Sequence, residues 1–302
     1  MLLRFAMIAL LLLGACAKPA PVSRATPPPA NEPTPGLFLY EARNDQGSVH
    51  LLGTIHMGFG FAEVLTPSAR AAFDASKRVM TEADVSAADP AQLIQAALLP
   101  ADKSLHDLVG EATWQKLVAR IGKQIPEPLL QRLEPWLPSV MLGLEDLEQA
   151  LGDMAPSSKG RQMDVELMDE ARRVGKPLTY FETVEEQVAI FDSIPLEEQV
   201  RELARSLDSE TSAQARSLLQ AFQAGDEVAL ARALFDETEI QSSPGFYERV
   251  LYQRNERWLP IIERELASGG AFIAVGAGHL LGERGLLAAL RAKGFTVTRV
   301  GR

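Results

Sequence analysis

From residue 37 onward, apolar and polar positions fall into periods that can be assigned element by element. Residues 37–43 ("LFLYEAR") and 48–55 ("SVHLLGTI") are β-rich apolar runs, and the turn "NDQG" between them predicts a hairpin. "LTPSARAAFDASK" then offers Thr66 as a helix cap and Pro67 at the first helical position. "RVMTEAD" is a short apolar run ending at Glu82, and the 26 residues from His56 to Glu82 match one βαβ unit. The middle of the chain reads as helical. "MDVELMDEARRVGKPLTYFETVEEQ" predicts a helix stopped at Gly175, a strand over 177–181, and a new helix opened by Thr183 and Glu186 at capping-box spacing. From Leu196 to about Glu237, charged amphipathic sequence with Val200, Leu203 and Leu207 at helical spacing predicts two or three surface helices, placed to cover a site. "FIAVGAGHLLGERGLLAALRAKGFTVTRV" ends the chain as strand, turn, helix, Gly294 stop and strand. Strands and helices in this order predict an α/β fold, a mixed sheet with flanking helices and a helical insertion in mid-chain.

The first 36 residues follow different rules. "MLLR" is a short basic start and "FAMIALLLL" an apolar run of signal-peptide length, too short for a stable membrane span. Leu13-Gly14-Ala15-Cys16 resembles the bacterial lipobox, in which the cysteine becomes the lipid-bearing N-terminus. Residues 1–15 are thus expected to be a signal peptide and Cys16 a lipidation site. Cys16 is the only cysteine, so stability comes from the core without disulfides. Residues 17–36 are rich in Pro, Ala and Thr, which favours solvated polyproline II and predicts a tether. The folded domain is placed at 37–302. These readings put the protein in the bacterial envelope, lipid-anchored and facing the periplasm. Ala17 does not resemble the Asp signal for inner-membrane retention, which favours the outer membrane.

Composition is globular, 46% apolar and 23% charged. The formal charge of −10, with no basic block to offset it, argues against nucleic acid as a partner.

Chemistry concentrates at predicted strand ends. Four histidines are present, and two of them, His56 and His279, share a G-x-x-H setting with Gly53 and Gly276 at the end of an apolar strand. Glu82 and Glu182 sit at comparable ends. Ligands bind outside the carboxyl ends of strands in open α/β sheets. Were these strands parallel neighbours, two imidazoles and two carboxylates would meet in one crevice, with the glycines allowing close approach. Two His with one or two carboxylates suit Zn, Mn, Co or Fe, and an acidic group can serve as general base. Taken singly, each of these residues is as well explained by an ordinary structural role. His50 and His106 read as structural. Arg254 and Asn255 decorate a solvated helix face unless that helix flanks the crevice, where Arg254 would stabilise an oxyanion. The sequence contains no H-E-x-x-H, no G-x-S-x-G and no P-loop.

In combination, these segments resemble the TraB/GumN family, related to the Tiki proteases. "VHLLGTIHMG" is similar to its opening motif, "RVMTEADV" to its strand ending in Glu, and "GRQMDVELMDEARRVGKPLTYFETVEEQVAIFDSIP" to its central block. "LYQRNERWLPII" resembles the Arg-Asn helix, and the closing β-α-β segment the last motif. One departure is "TEAD", where relatives often carry a more hydrophobic residue soon after the Glu. It keeps Glu82 in place but leaves Asp84 without a counterpart. The resemblance implies a Tiki-like fold and metal-dependent hydrolysis with Mn or Co. His56, His279 and Glu82 are then the metal or catalytic residues, with Glu182, Arg254 and Asn255 as neighbours. The expected activity is a peptidase. The alternatives are a non-catalytic protein holding a peptide, haem or other small ligand in the same crevice, and an envelope interaction protein with an unused site.

Overall fold

The computed structural model describes residues 37–84, 86, 89–154, 160–207, 211–268 and 270–301; the leader, Cys16 and the tether lie outside the described residues. The strands are β1 Leu39–Asn44, β2 Gly47–Thr54, β3 Arg78–Thr81, β4 Leu178–Tyr180, β5 Ala271–Gly276 and β6 Thr296–Arg299. They form one mixed sheet in the order β4-β3-β5-β2-β1-β6. β1 and β2 make the expected hairpin, with the Asn44 side chain accepting from the amides of Gln46 and Gly47 to close the turn. β2, β5, β3 and β4 run parallel, and β1 is antiparallel to both β2 and β6.

Strand neighbours differ from chain order in two places, for a physical reason. β5, from the far end of the chain, lies between β2 and β3, while β6 crosses to the edge beside β1. All six residues of β5 are buried, so it is apolar on both faces and belongs in the centre of the sheet. β6 alternates between exposed and half-buried positions, the pattern of an edge strand.

The helices that matter below are α1 Pro67–Ala75, α2 Pro90–Ala96, α3 Trp136–Met154, α4 Met163–Arg173, α5 Val184–Asp192, α6 Leu196–Ser206, α7 Thr211–Ala224, α8 Gln253–Ser268, α9 Ala277–Leu280 and α10 Leu286–Ala292. Their starts follow the local chemistry. Thr66 caps α1 by accepting from the Ala69 amide, with Pro67 following it. Thr183 and Glu186 complete a reciprocal capping box on α5, at 3.1 and 2.8 Å, so that helix begins two residues after Glu182. Among the described residues no helix is long and apolar enough to cross a membrane.

Two cores result. The sheet core joins Leu51, Phe272 and Val275 to Phe61 and Phe73, with Phe272 edge-on to Phe73 at 5.6 Å and to Phe61 at 6.3 Å. The second core is helical and packs Trp136, Leu137 and Val140 of α3 with Phe191, Phe246 and Leu251. The stretch after residue 196 is helical, as expected, and its apolar stripe has a definite partner. α7 buries Leu218, Leu219 and Phe222 in the sheet core, and Phe222 stacks on Phe38 at 5.2 Å and Phe59 at 5.7 Å. An amphipathic helix must bury its apolar stripe, and the sheet supplies the surface.

Because Phe272 is fully buried between two other rings, Phe272→Ala should lower unfolding stability by about 3–5 kcal/mol. Urea denaturation followed by circular dichroism checks this, and a loss below about 1 kcal/mol would contradict the packing described.

Candidate functional site

The carboxyl ends of the four parallel strands supply the site. His56 follows β2, Glu82 follows β3, Glu182 follows β4, and Gly276 ends β5, with His279 on α9 just beyond. Parallel register holds them together: Thr54 lies opposite Gly276, Thr81 opposite Tyr180, and the Glu182 amide donates to the Glu82 carbonyl at 2.9 Å. All four predicted side chains are buried.

Arg254, from the first turn of α8, sits at the centre. Its Nη2 donates to Glu82 Oε2 at 2.6 Å, its Nε to Glu182 at 2.9 Å, and its Nη1 to His279 Nε2 at 3.1 Å. The guanidinium lies 4.6 Å above the Trp258 ring, which itself stacks on Phe181 and donates Nε1–H to Glu182. The solvated-face reading of Arg254 and Asn255 is therefore replaced by the other: α8 flanks the crevice, and both residues are 4% exposed or less. The turn that delivers them is a π-helix over Glu248–Tyr252, whose Val250 carbonyl also accepts from Arg254. Such wide turns recur at functional sites because they re-aim the next residues.

Hydrogen bonding fixes both imidazoles. Asn255 donates its amide N–H to the carbonyls of His279 and Arg284, so its Oδ1 is left to accept His279 Nδ1–H at 2.7 Å. His279 Nε2 consequently carries the lone pair that receives Arg254. His56 Nδ1–H donates to Asp164 Oδ2 at 2.7 Å, and Thr54 Oγ1 donates to Asp164 Oδ1 at 2.9 Å. The Nε2 atoms of both rings then face the same oxygen, Glu82 Oε1, at 4.0 Å from His56 and 3.8 Å from His279. That oxygen accepts the Gly276 amide at 2.7 Å.

The two motif glycines have different tasks. A Cβ on Gly53 would press on Phe38, Leu280 and Ala277, so Gly53 serves close packing of β2. A Cβ on Gly276 would stand 2.9 Å from His56 Nε2 and 3.4 Å from Glu82 Oε1, in the space the site keeps open.

Electrostatics splits the histidines. Burial pushes His56 down, but the charge and hydrogen bond of Asp164, aided by Glu82, outweigh it and raise the pKa above its ordinary value. His279 is held well below its ordinary value by burial, then by Arg254 and His56. Arg254 answers Glu82 and Glu182, Arg257 reaches Glu182 from solvent, and the third carboxylate, Asp164, faces His56. The cluster thus has room for further positive charge, which a proton on His56 partly supplies. Environments that push paired groups apart in pKa mark them for different acid–base roles.

Asp164 and Thr54 escaped the sequence reading. A signal existed for Asp164: it shares the buried stripe of α4 with Leu167, Met168 and Ala171, where an apolar residue is expected. His106 lies elsewhere, paired with Glu111 and tilted over Trp114. His50 is half-buried in β2.

The sign of each shift gives a pH profile. His56, raised in the folded state, adds stability below the ordinary imidazole pKa of about 6.5 that is lost as pH rises through its folded value. His279, lowered in the folded state, adds stability above about 6.5 that is lost as pH falls through its folded value. Imidazole nitrogen NMR should show His56 titrating above free histidine and His279 far below, both as Nδ1–H tautomers when neutral. Asp164→Asn should bring His56 down. Coincident titration of the two rings would refute the assignment.

The chain covers 87% of a relative from Escherichia coli (strain K12), "Uncharacterized protein YbaP", at 28% identity over 251 residues, which is 80% of this chain. The protein of the same name from Shigella flexneri matches to the same extent. No solved structure matches. The TraB/PrgY/gumN family matches over residues 38–299, from the first strand to the last and across every residue of the site, and the chain belongs to that family.

Proposed function

We propose that the cluster around Glu82 is the site of a metal-dependent hydrolase of the bacterial envelope, acting on peptide bonds. The observation that carries the reading is the common aim of two Nε2 atoms at Glu82 Oε1, with each Nδ1–H tied to an oxygen of Asp164 or Asn255. Metal-binding histidines are oriented in this way by outer partners. His56, His279 and Glu82 would hold the ion. Their donor types suit Mn, Co, Zn or Fe.

The fit requires closure. Among the described residues no group of three or more His, Cys, Asp or Glu side chains is already drawn into coordination distance. The 4.0 and 3.8 Å between Glu82 Oε1 and the two Nε2 atoms would have to shorten for the three groups to share one ion. Gly276 leaves that space free, and Arg254 Nη1 must release His279.

A bound divalent ion supplies a water acidic enough to attack at neutral pH. The residues of the chain do the rest. Arg254 would remain on Glu82 Oε2 through Nη2, and Nη1, once released from His279, would be free to donate to an oxygen that gains negative charge. Glu182 accepts from Arg254, Arg257 and Trp258, so it holds the guanidinium in place. Asp164 accepts His56 Nδ1–H and so keeps its Nε2 aimed at the place of the ion. The lipobox at Cys16 and the Pro-rich tether support the envelope location.

One observation favours a second reading, a protein that holds a peptide or haem without turning it over. The site is sealed: its side chains are buried, and a nearby surface hollow of about 470 Å³ reaches Asn255 and Arg284 but is not lined by Glu82 or either histidine. Turnover of peptides by metal-loaded protein separates the two.

Metal analysis of the purified protein tests the site. Near-stoichiometric Mn, Co, Zn or Fe is expected in the wild type, with loss in His56→Ala and His279→Ala and retention in His106→Ala. Equal retention in all three variants would remove the assignment. Because His56 is raised above the ordinary value of about 6.5, protons should compete with the ion from above that pH downward. Calorimetry in buffers of different ionisation enthalpy should then show proton release on binding, and its absence would argue against His56 as a ligand.

A further inference from the structure

A second feature stands apart from the Glu82 cluster. A half-open groove of about 570 Å³ runs between α2 and α5. Leu93 and Ala96 of α2 and Val184, Val188 and Ala189 of α5 make an apolar floor. Asp89, Glu185 and Asp192 edge it, and among the described residues no Lys or Arg lines it. Among the described residues none of these three carboxylates makes an ion pair with a Lys, Arg or His side chain. Like charges gathered round an apolar surface are costly by themselves and favour an occupant of opposite sign.

We propose that this groove docks a polypeptide segment that presents apolar side chains next to lysine or arginine. The apolar floor needs a hydrophobic anchor, which a bare polyamine lacks. The open side lets a chain continue over the rim, whereas a small-molecule pocket would enclose its ligand. Asp192 and Glu185 would receive the cationic side chains, and Val188 and Leu93 the apolar ones.

The groove is coupled to the Glu82 cluster by covalent geometry. α5 starts at Val184, two residues after Glu182, and its nine residues span about 13 Å at 1.5 Å per residue. A segment seated on α5 is therefore held within reach of the strand ends. The proposal does not rest on the hydrolase reading, because docking needs no metal.

The test measures binding of a fluorescein-labelled Gly-Ser-Lys-Leu-Leu-Lys-Ser-Gly peptide to the full chain in EDTA by anisotropy. Two control peptides replace both Lys by Glu, or both Leu by Ser. Saturable binding of the first peptide alone is expected. The Glu185→Lys/Asp192→Lys variant, changed at two exposed positions, should weaken it by about tenfold or more. Ala189→Tyr, which fills the floor from an exposed position, should weaken it as well. Equal binding of all three peptides, or wild-type affinity in both variants, would overturn the proposal. So would the absence of saturation for the Lys-Leu peptide.

Discussion

The constraint on which the rest of the site depends is the burial of Arg254 between two carboxylates. A guanidinium cannot be taken out of water alone, and neither can Glu82 or Glu182. Once all three are buried, each becomes a condition for the others. Breaking one partner of such a group costs about 3–5 kcal/mol because a charge is left uncompensated. The chain meets the condition with parts far apart in sequence. Glu82 ends β3, Glu182 ends β4, and α8 delivers Arg254 through a π-turn. Strand order follows from the same demand: β5 must lie between β2 and β3 for the Gly276 amide to reach Glu82.

Around this pair the histidines are deliberately unequal in setting. One is backed by a carboxylate and the other by an amide oxygen. Replace Asn255 by an acid and His279 would gain the counter-charge His56 has. Asp164 thus favours a proton on His56, while burial, Arg254 and His56 itself hold His279 to its lone pair. A site in which both rings were charged would repel a metal ion and Arg254 alike. With both rings neutral, Asp164 would lose the counter-charge that a protonated His56 gives it.

Much of this was legible before the coordinates. Strand-end placement of His56, Glu82, Glu182 and His279 followed from short apolar runs that each stop at a polar residue, and parallel pairing then brings them together. Capping at Thr66 and Thr183 was legible because it depends on neighbours only. Strand order was not, since it depends on which strand is apolar on both faces relative to the others. Burial of α7 was not either, because an amphipathic helix states that it has an apolar face without stating what will cover it. Arg254 was ambiguous for a related reason. In sequence, "QRNERW" is a charged run, and only the packing of Trp258 beneath the guanidinium turns that run inward. Asp164 was hidden by abundance, one acid among forty. A charged residue on an otherwise apolar helical stripe is the more useful guide than its identity.

The sealed state of the cluster follows from these same energetics. With Arg254 satisfied by Glu82, Glu182 and His279, water has little reason to enter, and Trp258 and Phe181 complete the cover. Any ion or substrate must offer a better set of partners than the guanidinium already has. Positive charge can do so, because the three carboxylates are not fully matched. A neutral ligand lacks that advantage. The exchange can be confined to one bond: release of Arg254 Nη1 frees the lone pair of His279, while Nη2 stays on Glu82 and Asn255 keeps its hold on Nδ1–H.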